Sequence, residues 1–174
     1  MNGADTPSAR AGRNTLQIFH ININCTSLER SVGFYQLLGF KMILDFQDPP
    51  DGKAQSFAEI GLGPVLRLPP DLDGRACLMS LSDDLHATRL DLIEWNSPRE
   101  RPEMRRNLAQ PGVARICLKV RDCRELHDRL VQAGHAPYSG PEKIAMGGSQ
   151  FLVFCCEDPD GVVMEFMEFA RAES

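Results

Sequence analysis

The pattern that begins at His20-Ile21 begins again at Arg115-Ile116: an alternating strand, a capped helix, a glycine, then a new strand. His20 and Arg115 are 95 residues apart, as are Gly39 and Gly134 and the candidate N-caps Ser27 and Asp122. Further on, LDLIEW (90–95) matches MEFMEF (164–169) in residue type. The spacing predicts an α+β chain of two tandem βαβββ modules. A single copy would leave an apolar sheet face exposed, so the two sheets are expected to curve toward each other and share what lies between them.

Residues 1–13 are polar and rich in small side chains, which predicts a flexible tail. The first module then runs over 14–97. In LQIFHININC (16–25), Phe19, Ile21 and Ile23 fall on one side of a strand and His20, Asn22 and Asn24 on the other. Ser27 is the expected cap of a helix carrying Leu28, Val32, Tyr35 and Leu38, and Gly39 stops it. KMILDF continues as a strand, and two more are expected around Ala76–Leu81 and Thr88–Trp95. Between KMILDF and Ala76, residues 48–75 are dense in proline and glycine and read as a long irregular insertion, a type of loop that often covers a binding site. A polar linker at 98–111 leads to the second module at 112–170.

The balance of charges excludes some partners. A formal net charge of −5 leaves no footprint for nucleic acid, and the stretch from Arg99 to Arg106 is broken by two glutamates and Pro102, as in a solvated loop. No apolar stretch approaches the roughly 20 residues of a membrane helix, and the N-terminus lacks the apolar segment of a secretory signal; the expected location is the cytoplasm. Six cysteines without a CxxC pair, mostly inside apolar runs such as RICLKV and FLVFCC, read as reduced core residues.

FHININCTSLERSVGFYQLLGF, LDLIEWNSP, GVARICLKVRDCRELHDRLVQAGH and FLVFCCEDPDGVVMEF together resemble the vicinal oxygen chelate superfamily of glyoxalase I, methylmalonyl-CoA epimerase, extradiol dioxygenases and bleomycin- or fosfomycin-resistance proteins. The resemblance covers roughly residues 16–169. It implies that the two mixed sheets form a half-open barrel around a shared cleft, with a divalent metal held by the first and last strands of each module. It also implies a homodimer, as the paired modules of this family often assemble.

Carried over by position, the resemblance places His20, Asp91, Arg115 and Glu165 in the cleft. His20, Asp91 and Glu165 could ligate Mg²⁺, Mn²⁺, Fe²⁺, Ni²⁺ or Zn²⁺. Arg115 departs from the pattern, because a guanidinium has no lone pair to give a metal. Two readings follow. Either three ligands hold the ion and Arg115 binds an anionic group of the substrate, or the charge of Arg115 stands in for the ion and the site holds no metal.

Each of these residues also has a plainer reading. A lone strand histidine is more often a satisfied or surface group, but the place of His20 in the repeat favours a site role. Glu165 lies among Val163, Met164, Phe166 and Met167, where a carboxylate is costly unless partnered. Asp91 competes with Glu94, which faces the other way on the same strand. His86, His127 and His135 read as surface residues, Trp95 and Phe169 as packing, and Cys155-Cys156 as neighbours on opposite faces with no nucleophilic role.

The expected function is that of a small-molecule isomerase, epimerase or lyase working next to a carbonyl or on vicinal oxygens, with Glu165 as base and His20 beside it. The alternatives are a ring-cleaving dioxygenase of the same fold, which the loss of a histidine at Arg115 argues against, and a non-catalytic ligand-sequestering protein of the resistance type. The latter calls for an aromatic cleft, and only 7% of residues are aromatic.

Overall fold

The computed structural model describes residues 15–98 and 108–169; the expected tail and most of the linker lie outside the described residues. The first module contains β1 (His20–Cys25), α1 (Leu28–Leu37), β2 (Lys41–Asp45), α2 (Leu62–Leu66), β3 (Asp73–Ser80) and β4 (Arg89–Ser97). The second contains β5 (Ile116–Lys119), α3 (Cys123–Gln132), β6 (Glu142–Met146), β7 (Ser149–Glu157) and β8 (Val163–Phe169). Each forms a four-stranded mixed sheet, in the orders β1-β4-β3-β2 and β5-β8-β7-β6. The two orders are identical, as the repeat requires. The insertion is less irregular than its prolines and glycines predict, since it includes the five-residue helix α2.

The long helices start and stop where local chemistry dictates. Ser27 accepts from the Arg30 N–H, and Asp122 accepts from those of Arg124 and Glu125, so both cap orphan donors of a first turn. Gly39 and Gly134 end the helices at φ +95° and +88°, a region costly for any residue with a Cβ. A further pair of carboxylates fastens each helix to its sheet. Glu94 on β4 accepts from the Leu28 N–H at 2.8 Å, and Glu168 on β8 accepts from the Cys123 N–H at 2.8 Å. Each places a negative charge at the positive end of a helix.

The buried faces of α1 and α3 meet the helix-side faces of both sheets in one continuous core. Phe34, Tyr35, Leu126 and Leu130 pack there with Ile23, Leu92, Phe154 and Phe166. Polar contacts join the modules at the DPDG turn. The Tyr35 hydroxyl donates to Asp158 Oδ2 at 3.0 Å, while Asp158 Oδ1 accepts the N–H groups of Asp160 and Val162. Asp160 in turn accepts from Thr26 and from Arg30 at 2.9 Å.

The two modules stand as expected, and their sheets do not close into one barrel: the apolar helix-side faces pack into a core common to both modules. Among the described residues no helix is long and apolar enough to cross a membrane. All six cysteines are free; Cys25, Cys77, Cys123 and Cys156 are buried, whereas Cys117 is exposed rather than in the core.

Tyr35→Phe removes one hydrogen bond to a buried carboxylate and leaves two backbone donors on it. It should destabilise the chain by about 1.5–3 kcal/mol in urea unfolding. An unchanged midpoint would show that the inter-module bond contributes nothing net.

Candidate active site

Alternation along β1 and β4 decides what the helix-free face of the first sheet presents. Glu94 is committed to the helix side, so Asp91, Ile93 and Trp95 face the other way. On β1, His20, Asn22 and Asn24 share that face, and the parallel register sets Asn22 opposite Asp91 and Asn24 opposite Ile93. The insertion folds over this floor. Phe57, Ile60, Leu62, Val65, Leu66 and Leu68 wall a cavity of about 1040 Å³, at the upper end of the range for small-molecule sites.

Asp91 is the unusual group in it. Its Oδ2 accepts from Asn22 Nδ2 at 2.8 Å, while its Oδ1 is buried with no hydrogen-bond partner. Burial pushes its carboxyl above the ordinary range, with nearby His20 and the Asn22 bond pulling only partly against it. Cys25 also lines the cavity, but burial holds its thiol up at about 11, so it is no thiolate nucleophile at neutral pH. Trp95, expected to be packing alone, forms part of the wall, with its indole N–H donating to Asn24 Oδ1 at 2.8 Å.

The sequence candidates therefore separate. His20 and Asp91 meet in the cavity. Arg115 and Glu165 belong to the second sheet, where Arg115 Nε donates to Glu165 Oε2 at 2.7 Å, and neither lines the cavity. This pairing holds the Arg115 guanidinium further above its ordinary pKa. Cys117 and Cys155 flank Glu165 in register on the neighbouring strands. Glu94 is a helix anchor, also held by Arg75. His127 and His135 set their rings against Phe154 and Phe34, at 5.5 and 4.9 Å between centroids.

Phe46 and Phe57 carry no signal in the amino-acid order, whereas Asn22 and Asn24 do, through their alternation with His20.

Among the described residues the donors do not fit a metal. No three His, Cys, Asp or Glu side chains converge there: besides His20 and Asp91 the cavity has Cys25, whose thiol burial keeps protonated, and Asp160, which is paired with Arg30, while Glu165 is engaged by Arg115.

With this geometry in view, the comparisons are informative about class. The model of the Glyoxalase/Bleomycin resistance protein/Dioxygenase superfamily matches residues 17–166. The chain belongs to that superfamily. Among solved structures it is similar to a glyoxalase family protein from Bacillus cereus, with TM-score 0.74 and 17% identity over 92% of this chain and 99% of that one. It is also similar to the trypanothione-dependent glyoxalase I of Leishmania major, with TM-score 0.56 and 18% identity over 88% and 87%. A glyoxalase I mutant from Zea mays aligns with TM-score 0.59 and 16% identity over 87% of this chain and 44% of that one. No curated protein sequence matches this chain.

The raised carboxyl of Asp91 has a consequence for stability. A folded-state pKa above the unfolded one means that the burial cost is felt at neutral pH and is relieved as pH falls into the carboxylate range. Asp91→Asn keeps a partner for Asn22 and carries no charge. It should unfold at higher urea than the wild type at pH 7, with the gap closing toward pH 4. Equal midpoints at pH 7 would mean that the carboxylate is adequately solvated where it sits.

Proposed function

We infer that the chain is a small-molecule enzyme that moves a proton next to a carbonyl, as an isomerase, epimerase or lyase, with Asp91 as base and His20 beside it. The observation carrying this reading is the carboxyl of Asp91, which lines an apolar cavity with one oxygen held by Asn22 and the other buried without a partner. A carboxylate so poorly solvated is a stronger base than a free one and can take a proton from carbon near neutral pH.

In this mechanism Asn22 orients the carboxylate, which accepts the proton at Oδ2, the oxygen on the Asn22 side. The electron pair left on carbon moves to the carbonyl oxygen, and His20, on the same face of β1, donates a hydrogen bond or proton to it. Return of the proton to the other face or to a neighbouring atom gives epimerisation or isomerisation. No further reactant is needed.

Glu165, the base expected from sequence, is the weaker candidate because Arg115 neutralises it outside the cavity. The same pairing weakens the expectation that Arg115 holds an anionic part of the substrate. A ring-cleaving dioxygenase would need an iron site, and among the described residues no three His, Cys, Asp or Glu side chains converge to form one. Sequestration without chemistry is the second reading, and the apolar extent of the cavity favours it.

The two are separated by turnover. With α-hydroxyketones in D₂O, wild-type protein should exchange the proton next to the carbonyl, as followed by proton NMR. Asp91→Asn should lose this by about 10²–10⁴-fold. The acid limb of the rate profile should lie above the ordinary carboxylate range, in line with the direction of the Asp91 shift. Binding with no exchange in the wild type would favour sequestration.

We also read the chain as a cytoplasmic homodimer. The family's pairing of modules supports this, as do the free cysteines and the uncovered second sheet, where Cys117 and Phe169 are exposed. Light scattering should return twice the chain mass of 19.4 kDa, and a monomer at micromolar concentration would refute it.

A further inference from the structure

The cavity changes character along its length. On its floor the register runs from Asn22, Asp91 and Leu78, through Asn24, Ile93 and Ala76, to Trp95 and Gly74. Asp91 and Trp95 are four residues apart on one strand, roughly 13 Å at about 3.3 Å per residue. His20 and the half-partnered carboxyl of Asp91 stand at the first end.

At the other end two polar groups are already paired. The Trp95 N–H is bonded to Asn24, and the Asp160 carboxylate accepts from Thr26 and Arg30. The wall around Trp95 is largely carbon. Phe57 and Ile93 are buried in a second apolar cluster with Phe46, Leu62, Leu68 and Trp95 packed on it. The Phe57 and Trp95 rings lie 5.2 Å apart, and a Cβ on Gly74 would come within 3.1 Å of the Phe57 ring. This close approach fastens the insertion to the sheet at that end.

Over the cavity the insertion shows apolar side chains to water. Ile60, Val65 and Leu66 line it yet are 52%, 78% and 47% exposed. Carbon left uncovered at the rim of a site is what an apolar ligand would cover. The charges point the same way. The one lysine or arginine among the lining residues is Lys53, on an exposed part of the insertion, and the carboxylate at the polar end repels an anionic head.

We propose that the ligand is a long, uncharged amphiphile. Its hydroxyl- or oxo-bearing head sits at His20 and Asp91, and an alkyl or aryl body extends about 13 Å, at the strand rise used above, to end against Trp95. Ile60, Val65 and Leu66 cover that body. This rests on His20 and Asp91 being the reacting end, and it assigns Trp95 the role of setting ligand length. Substrates of two or three carbons would leave most of the apolar wall uncovered.

Trp95 is the sole tryptophan, so its fluorescence reports on this site. Titration with 1-hydroxy-2-alkanones of increasing length should tighten binding by roughly fourfold per methylene, then level off when the chain reaches Trp95. Alkanoates of equal length should bind at least about tenfold more weakly, since they bring a charge to a carboxylate. Leu66→Glu, at an exposed position, should weaken the long ketones more than the shortest; Ile93→Phe should bring the plateau to a shorter chain. Affinity independent of length, alkanoates that bind as well as ketones, or an unchanged length dependence in Leu66→Glu would each overturn the proposal. The outcome is distinct from that of the enzyme reading. A length dependence without proton exchange in D₂O sinks the enzyme and keeps the amphiphile, whereas exchange without length dependence does the reverse.

Discussion

In each module one carboxylate from the last strand binds the first N–H of the helix, through Glu94 on Leu28 and Glu168 on Cys123. Much of the arrangement follows from this contact. It ties the helix to the sheet at its positive end and commits the even-numbered face of β4 and β8 to the core. Because residues three apart on a strand face opposite ways, Asp91 and Glu165 must then stand on the helix-free faces. The same interaction that secures the packing therefore also puts the chemistry outside it.

The two helix-free faces have different fates although their modules repeat. On the first sheet the insertion supplies a wall of its own, so Asp91 sits beside Asn22 in an apolar enclosure. The second sheet has only the two-residue connection Gly147-Gly148 between β6 and β7 and, among the described residues, no such insertion, and its carboxylate is neutralised by Arg115, itself 44% exposed. An exposed ion pair of this kind is a modest contributor to stability. A carboxylate in an apolar pocket with one unsatisfied oxygen is a standing cost, which a protein bears most readily where basicity is useful.

The DPDG turn connects the two modules through Asp158 and Asp160. Burial pushes the Asp158 carboxyl up, against the two backbone N–H groups and the Tyr35 hydroxyl that favour its charged form. Tyr35 lies in the helix that Glu94 anchors. The inter-module contact and the orientation of the site are thus parts of one connected piece of packing, with the insertion added to its outer surface.

The two-module fold was legible in the amino-acid order because its signals are local. Ser27 and Asp122 cap, Gly39 and Gly134 terminate, and HININ alternates, each through interactions within a few residues, and the 95-residue offset made them countable twice. His20 and Asp91 were named through the family resemblance laid over that pattern. How the modules pack could not. Whether two sheets meet across their open faces or through their helices depends on which apolar surfaces gain most from burial against each other, a sum over residues such as Phe34, Leu130 and Phe166 that are far apart in the chain. That choice sent Arg115 and Glu165 to a different surface from His20 and Asp91, and it let the insertion turn Trp95 from presumed packing into the wall of a cavity. Periodicity reports which face a side chain is on, and only tertiary packing decides what that face meets.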